Sequence, residues 1–389
     1  MERYEKNEYR LPWRLAQNQI RASGGREMDR FRGITPPTDR PNGAEAWVGS
    51  VTRANGATPE NPNLGCAEVL LPDGRRRYLF EAIAAEPELA LGSAHLARYG
   101  TDLGMLVKLL DAKTPFLLQC HPTRENANRF WNSNYGKEEC WYIIGVRDDA
   151  PEPPYILLGF REGVSREGFE QAYRAGDIAA LEAMCHKIEV RPGECYFIPG
   201  GVPHALGAGC FVAEIQEPSD LTAVPIAQQA LLEFRRRANP KGVFVPEDEA
   251  LYERRMLNSF HYAGASLAAT LARCKSAMPL LREESGGREQ EIFGTAQTQC
   301  FSCTLVQVHG TFRKTDTHDA QICLILDGSG ELVCGGERMS VRRADEIFFP
   351  CAATDVRMEG TFSCILCNPG LSAQYRPHAE ETEEERTRL

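Results

Sequence analysis

Four residues in separate stretches of the chain carry side chains that could bind one divalent metal ion. Gln119 and His121 are two apart in a strand-like segment, so their side chains point to the same face. Glu139 begins the next strand-like segment, and His204 follows the turn-forming segment 199–201. Two imidazoles, one carboxylate and one amide oxygen suit zinc or another first-row divalent ion. Because this set leaves coordination positions for water or substrate, it predicts a catalytic metal site.

The segment that leads to His204 gives the strongest signal. Gly193, Pro199, Gly201 and His204 occur where a strand-like run ends in a turn. Glycine permits the backbone conformations of a tight turn and proline restricts them, so the turn can deliver the histidine from the far side of the site. A single histidine is more often structural, but this spacing combined with the three other donors predicts a metal ligand.

Short strands must position these residues. Strand-like runs separated by glycine and proline occur on both sides of a helical stretch, which predicts a mainly β fold with helical insertions and two jelly-roll units. We expect an N-terminal metal-binding unit over 1–225 with a helical insert at about 162–185, a helical connector over 226–285, and a C-terminal unit over 286–389. In the last unit Asp355 stands at the position of the histidine, and both glycines are missing. We therefore expect no metal there and a role in packing or subunit contact.

The cysteines offer a second metal hypothesis. Cys300 and Cys303, with Cys364 and Cys367, have the spacing of a two-pair zinc site. Both pairs lie in strand-like runs, where residues three apart point to opposite faces, and neither pair contains a glycine turn. Buried strand cysteines are the better interpretation. Disulfides are not expected, because the chain is long and we expect it to be intracellular.

Composition and charge restrict the partners. The net charge of −10 and the isoelectric point near 5.5 argue against nonspecific nucleic-acid binding, although a local basic pocket could still hold an anionic substrate. The sequence contains no apolar run of membrane-spanning length, and its charged beginning is unlike a signal peptide. We expect a cytoplasmic protein without a membrane partner. A homodimer is left open.

The glycine–proline–glycine–histidine element resembles the second motif of the cupin superfamily. Several segments resemble type I mannose-6-phosphate isomerases, and they run in the family's order from about residue 45 to 222: 45–50, 106–112, 119–122, 135–142, 197–207 and 213–220. The strand spacing of the last hundred residues fits the family's second, degenerate cupin-like unit.

This resemblance implies a reaction and a set of roles. The implied reaction interconverts mannose 6-phosphate and fructose 6-phosphate, with one Zn²⁺ per chain, other divalent metals being an alternative. The implied ligands are the four residues named first: Gln119, His121, Glu139 and His204. Lys137 and Asp220 are the predicted catalytic residues, because an aldose–ketose isomerisation needs a proton-transferring group near the carbonyl. A nearby metal ion would favour a neutral Lys137 amine. Lys108, Arg124 and Glu214 are predicted to bind the phosphorylated hexose.

The chain also departs from the family's pattern. Family members carry an arginine a few residues after the Ser-Asp pair, and this chain has Val224 there. Loss of a cation beside a developing oxyanion would slow the reaction by orders of magnitude. The arginine run 235–237 could substitute from a nearby helix, although such a run is more often solvated. Thr123 replaces the usual aspartate after His-Pro.

Two alternatives to the isomerase hypothesis follow. The chain could be a metal-binding cupin that binds sugar phosphate without isomerase activity, which Val224 favours. It could also be a cupin with other metal chemistry, such as an iron-dependent oxygenase, although the glutamine donor and the helical insert are unfavourable to that alternative. A nucleotide-dependent enzyme is not expected, because the sequence lacks a glycine-rich phosphate-binding loop.

Overall fold

A computed structural model of the protein describes residues 6–21, 24–40, 45–71, 73–238, 242, 244 and 246–372. The strands are β1 (Trp13–Arg14), β2 (Gln19–Arg21), β3 (Glu45–Val48), β4 (Glu68–Leu70), β5 (Arg76–Tyr78), β6 (Leu106–Asp111), β7 (Glu139–Val146), β8 (Tyr155–Phe160), β9 (Cys185–Glu189), β10 (Cys195–Ile198), β11 (His204–Leu206), β12 (Cys210–Gln216), β13 (Leu280–Glu284), β14 (Gly287–Phe293), β15 (Phe301–Arg313), β16 (Gln321–Cys334), β17 (Glu337–Arg342), β18 (Glu346–Phe349) and β19 (Arg357–Pro369). The helices are α1 (Arg26–Arg32), α2 (Leu79–Ala85), α3 (Pro87–Leu91), α4 (Ser93–Tyr99), α5 (Arg124–Trp131), α6 (Arg166–Ala175), α7 (Ile178–Ala183), α8 (Gln228–Ala238), α9 (Glu249–Ser259) and α10 (Leu267–Cys274).

Antiparallel sheets dominate the molecule. A six-stranded sheet has the order β10-β7-β12-β6-β3-β2, and a three-stranded sheet has the order β11-β8-β9. An eight-stranded sheet has the path β1-β18-β16-β19-β15-β14-β13, with β17 paired to β16. The predicted fold class, mainly β with cupin-like units and helical insertions, is confirmed, although the sheets are open rather than closed into barrels.

The alternation of side chains along the six-stranded sheet separates two interiors. Side chains such as Val107, Cys140 and Ala213 pack against the eight-stranded sheet in a large hydrophobic core. Their neighbours Leu110 and Trp141 pack in a second cluster that also contains residues of the three-stranded sheet. The metal-binding candidates lie on this second face, between the six-stranded and three-stranded sheets.

The N-terminal segment is more ordered than its polar, Gly/Pro-rich sequence suggests. α1 has no capping side chain of its own, but the Asp111 carboxylate at the end of β6 accepts hydrogen bonds from the backbone N–H groups of Gly25, Glu27 and Met28, at 3.0, 2.8 and 3.2 Å. Arg147 holds the other oxygen of Asp111 at 2.7 Å. The glycines and prolines of residues 1–45 predict an irregular lead-in. For α1 this prediction was wrong, because the residue that caps the helix lies far away in sequence.

The helical insert and the connector contain the expected helices, with α6 and α7 in the insert and α8, α9 and α10 in the connector. β13 begins at Leu280, before the predicted end of the connector, and β1 joins the C-terminal sheet through pairing with β18. The domain boundaries therefore remain a prediction.

The segment 115–120, predicted as a strand, forms only isolated bridges at Gln119 and Cys120. Pro115 contributes no backbone donor there.

The cysteines are free thiols, and the four that could have formed a zinc site are buried. Cys303 and Cys367 face each other across β15 and β19, as expected for strand cysteines. In the part of the chain that the structure describes, no helix is long and apolar enough to cross a membrane.

Candidate metal centre

Backbone pairing brings the predicted ligands together. Gln119 and His204 form a two-way bridge, with N···O distances of 3.0 and 2.8 Å. The backbone N–H of Gly201, in the turn before His204, donates to the carbonyl oxygen of His121 at 2.7 Å. Glu139, the first residue of β7, pairs with Ile198 of β10 at the point where that strand enters the turn. The turn thus connects all four residues through main-chain contacts.

The ligand atoms converge on one point. His121 Nε2 lies 3.1 Å from Glu139 Oε2, and His204 Nε2 lies 3.3 Å from Glu139 Oε1. One ligand atom from each of these three residues lies within 4.8 Å of the others, and all three side chains are buried. Within the described residues this is the one such group of histidine, cysteine and carboxylate side chains.

A backbone contact of each histidine ring determines which of its nitrogens faces the centre. The Nδ1 atoms of His121 and His204 lie 2.8 and 2.9 Å from the carbonyl oxygens of Leu221 and Val202. Each Nδ1–H therefore donates to the backbone, which leaves the Nε2 lone pairs directed to the centre, as in metal-binding histidines. Neither oxygen of Glu139 accepts a hydrogen bond of normal geometry from the described residues, although both are buried. Buried carboxylate oxygens of this kind fit a cation.

The fourth donor, Gln119, lies beside the same point. Its Nε2 is 3.4 Å from His204 Nε2. A half-turn of the amide exchanges nitrogen for oxygen at nearly the same position, so this side chain can present Oε1 instead. The donor set of two imidazoles, one carboxylate and one amide fits a first-row divalent ion.

Burial and nearby charges keep the two histidines of the centre neutral and its glutamate ionised, which are the protonation states that bind a metal ion. Burial lowers the pKa of His121 to about 3, and the Lys137 ammonium acts in the same direction. Burial also lowers the pKa of His204. Both rings are therefore neutral near pH 7. Burial alone would raise the pKa of Glu139, but Lys137 and the two histidines together outweigh it, and the pKa lies well below its usual range.

Lys137 lies at the edge of this group, as predicted. Its Nζ is 2.7 Å from His121 Nε2, 2.8 Å from Glu139 Oε2 and 3.7 Å from Glu214 Oε1. A metal ion held by the same atoms would require the ammonium to turn toward Glu214. The flexible four-carbon stem of lysine permits that movement.

A cavity of about 530 Å³ borders the centre. Gln119, Lys137, Lys108, Glu214 and Asp220 all line it. The β register explains the grouping, because Glu214 pairs with Lys108 on one side and with Trp141 on the other. Lys108 Nζ lies 3.3 Å from Glu214 Oε1 and 3.8 Å from Asp220 Oδ1. Burial raises the pKa of Glu214, and the nearby Glu139 charge adds to the rise.

One predicted substrate residue lies elsewhere. Arg124, in α5, does not line the cavity among the described residues. Its guanidinium contacts Glu217 at 2.5 Å and the hydroxyl of Ser372 at 2.6 Å. Arg124 was predicted to bind the phosphorylated hexose, but in α5 its side chain pairs with these two residues instead of lining the cavity. We omit it from the proposed substrate site.

Three further charged residues line the cavity and were not among the predicted site residues: Glu45, Arg235 and Arg237. Glu45 accepts a hydrogen bond from Trp47 at 2.7 Å and lies 3.7 Å from Lys108 Nζ. The sequence signal for Glu45 was its place in a segment similar to the family. For the arginines it was the run 235–237, which could substitute for the family's arginine although such a run is more often solvated. Val224, at the position of the family's arginine, is a buried cavity residue.

Comparisons with known proteins agree with this geometry. A protein-family model of the mannose-6-phosphate isomerase cupin domain matches residues 292–369. A probable mannose-6-phosphate isomerase of Bacillus subtilis is 27% identical over 270 residues, which are 69% of this chain and 76% of the relative. A mannose-6-phosphate isomerase of Streptococcus mutans is 26% identical over 261 residues, which are 67% of this chain and 72% of the relative.

Solved structures share the fold. The crystal structure of a mannose 6-phosphate isomerase from Bacillus subtilis superposes with a TM-score of 0.68 at 21% identity, covering 92% of this chain and 99% of that chain. A zinc-bound mannose 6-phosphate isomerase superposes with a TM-score of 0.67 at 15% identity, with the same coverage of 92% and 99%. The resemblance inferred from the motifs is confirmed: this chain is similar in sequence to mannose-6-phosphate isomerases and, over residues 292–369, to their cupin domain.

Proposed function

We propose that the protein is a zinc-dependent aldose–ketose isomerase that interconverts mannose 6-phosphate and fructose 6-phosphate. The observation that carries this proposal is the buried group of His121, Glu139 and His204, next to which Gln119 and Lys137 line a cavity with charged side chains. The relatives are named mannose-6-phosphate isomerases, which supports mannose 6-phosphate as a substrate.

Zinc is the metal that the donor set and the zinc-bound structural relative favour. His121, His204 and Glu139, with Gln119 as the amide donor, would hold it. When bound, a divalent ion polarises a carbonyl and stabilises the negative charge of an enediolate.

The remaining residues of the cavity supply proton transfer and binding. Isomerisation removes a proton from the carbon beside the carbonyl and returns it to the neighbouring carbon, so a base must lie within hydrogen-bonding distance of both carbons. We assign this transfer to Lys137 Nζ, which lies nearest to the ligand atoms. Asp220 Oδ1 would assist in opening the sugar ring, and Lys108 and Glu214 would bind hydroxyl groups.

A coupled assay from mannose 6-phosphate to fructose 6-phosphate tests the proposal. The protein is reconstituted with zinc, and its metal content is measured by elemental analysis. We expect turnover that a chelator removes and added zinc restores. A protein that retains no divalent metal after reconstitution would contradict the proposal.

A second function is favoured by one observation. Val224 stands where the resemblance implies an arginine, and its side chain lines the cavity. A protein with the same metal centre could bind sugar phosphate without isomerising it. Calorimetric binding of mannose 6-phosphate without turnover, in zinc-loaded protein, would support this function over the first.

A further inference from the structure

The face of α8 that borders the cavity carries charged side chains to which the proposed isomerase assigns no role. Leu231, Phe234 and Arg235 line the cavity, and their spacing of three and four residues places them on one face of the helix. Arg237 also lines the cavity. The inference drawn from this face rests on the proposed function, because it concerns how the same cavity holds a sugar phosphate.

Packing against the cavity wall fixes the position of α8. Leu231 lies in one buried cluster with Val224 and Tyr252. The Tyr252 hydroxyl donates to the backbone oxygen of Val224 at 2.8 Å. Burial raises the pKa of Tyr252, and the positive charge of Arg235 acts against that rise, which places Arg235 near the same tyrosine. Because Arg235 follows Leu231 by one helical turn, it enters the cavity wall roughly 5–6 Å along the helix from the residue that packs on Val224.

The two lysines of the cavity lie among carboxylates. Lys108 Nζ lies within 4 Å of all three acidic residues that line the cavity in the described part of the chain, Glu45, Glu214 and Asp220. Lys137 Nζ contacts Glu139 at 2.8 Å. A dianionic phosphate is stabilised by nearby positive charge, and Arg235 and Arg237 are two further cations among the described lining residues.

The solvent exposure of the lining residues distinguishes the inner end of the cavity from its mouth. Lys108 and Lys137 are buried, Arg235 is half-buried, and Phe234 and Arg237 are exposed. The metal centre therefore lies at the inner end, and α8 borders the mouth. A hexose 6-phosphate with its carbonyl end at the metal centre carries its phosphate at the opposite end of the six-carbon chain, toward α8.

We infer that Arg235, assisted by Arg237, binds the phosphate group of the sugar phosphate at the mouth of the cavity. A guanidinium group matches phosphate oxygens with two parallel hydrogen bonds, and it keeps its charge at all relevant pH values. The phosphate contact anchors the substrate far from the reacting carbons. It therefore contributes to substrate affinity and specificity rather than to the chemical step.

Calorimetric titration of zinc-loaded protein with mannose 6-phosphate tests this inference without requiring turnover. We expect Arg235→Ala to weaken binding about 10- to 100-fold, as for loss of hydrogen bonds to a charged group. Arg235→Lys should recover part of that loss, and Arg237→Ala should have a smaller effect. Arg236→Ala is the matched control, because Arg236 is exposed in the same helix and does not line the cavity. Metal content and circular dichroism should be unchanged in all four variants.

The kinetic pattern distinguishes anchoring from catalysis. In an active wild type, the anchor predicts a higher KM in Arg235→Ala with a nearly unchanged kcat, and weaker competition by inorganic phosphate. Binding by Arg235→Ala equal to that of Arg236→Ala, or a fall in kcat at unchanged KM, would overturn the inference while leaving the isomerase proposal intact. A wild type that binds mannose 6-phosphate through Arg235 without turnover would instead contradict the isomerase proposal alone.

Discussion

The two histidines of the candidate metal centre are oriented by the main chain. Their Nδ1 atoms contact backbone carbonyl oxygens, and their Nε2 atoms face Glu139. Such contacts fix the tautomer of a ligating histidine and raise its basicity. These carbonyl groups belong to the segments 219–222 and 199–204. The orientation of the two rings therefore depends on the backbone conformation of those segments.

Removal of one ring should remove the metal. We expect His121→Ala to lose metal affinity by several orders of magnitude, because zinc sites depend on their complete ligand set. Elemental analysis after dialysis against a weak chelator measures the loss. His318→Ala provides the control, since the His318 side chain is 87% exposed and far from the group in sequence. Equal metal retention by the two variants would contradict the assigned ligand.

Lys137 should be needed for the reaction rather than for metal retention. We expect Lys137→Gln to lower kcat roughly 10²- to 10⁴-fold, the usual range for loss of a proton-transferring group. Its zinc content should match that of the wild type, because the ligands remain. Lys113→Gln changes a half-exposed lysine that pairs with Asp39 and should leave kcat unchanged. If Lys137→Gln keeps full activity, another group of the cavity transfers the proton.

At the scale of elements, the turn before His204 determines where that ring lies. Gly201 has φ +87°, and a Cβ atom there would lie 2.5 Å from the His261 ring. Gly193 has φ +88° but no atom within 4 Å of its would-be Cβ. The two glycines of the motif thus share a left-handed conformation and differ in packing.

This difference gives a matched pair of variants. We expect Gly193→Ala to cost about 1 kcal/mol of unfolding free energy, from backbone strain alone. Gly201→Ala should cost about 2–3 kcal/mol, because His261 must also move. It should also weaken metal binding, since Gly201 anchors the backbone of His121. Urea unfolding and metal titration measure both effects, and equal losses of stability would show that the contact with His261 is unimportant.

A buried ion pair joins α1 to β18 and should make stability depend on pH. Arg32 Nη2 lies 3.4 Å from Glu346 Oε1. Burial raises the pKa of Glu346 from 4.5 to about 7, although Arg32 acts in the opposite direction. Between these pH values the folded protein binds a proton that the unfolded chain has released. Stability from this group is therefore fully present below about pH 4.5 and is lost as the pH rises through 7.

Replacement of this carboxyl should flatten the pH profile. We expect the wild type to lose up to about 3 kcal/mol of unfolding free energy from this group between pH 4.5 and 8, at about 1.4 kcal/mol per pKa unit. Glu346→Gln should lack that loss, because an amide does not ionise. Urea denaturation at pH 5 and pH 8 measures the difference. Glu283→Gln removes an exposed carboxylate of β13 and should keep the wild-type profile.

Short sequence patterns predicted the strands and turns whose structure depends mainly on their own residues. β8 and β7 occur where their runs of branched and aromatic residues predicted them. The motif around His204 predicted a turn, because a turn has its own sequence requirements, and His121, Glu139 and His204 converge beside that turn. α1 was missed because Asp111 caps it from β6, and Arg235 was not assigned to the cavity because Leu231 and Tyr252 hold α8 there through tertiary packing. Such contacts leave no signal within a short window of sequence.

For the whole molecule, the large core between the two main sheets is the dominant connection. It contains Val107 and Ala213 from the six-stranded sheet together with Phe301, Ile322 and Phe348 from the eight-stranded sheet. β1 adds a second connection. It belongs to the N-terminal part of the chain and pairs with β18 of the eight-stranded sheet. Neither sheet can bury this face alone, so the stability of each depends on the other.

The shared core predicts a single unfolding transition. Trp47 and Trp141 are buried in the N-terminal sheet, and Cys323 and Cys364 are fully buried in the C-terminal sheet. Because Trp13 of β1 pairs with the C-terminal sheet, the test uses a Trp13→Phe protein, whose fluorescence no longer reports on that sheet. During urea titration, we expect tryptophan fluorescence and the labelling of these two thiols, followed by peptide mapping, to give the same midpoint. If the sheets were independent, the thiols would be labelled at urea concentrations where the fluorescence is still native. Coincident midpoints in this protein, shifted together when Phe348→Ala is added, would locate the coupling in the core, since that truncation should cost about 3–5 kcal/mol.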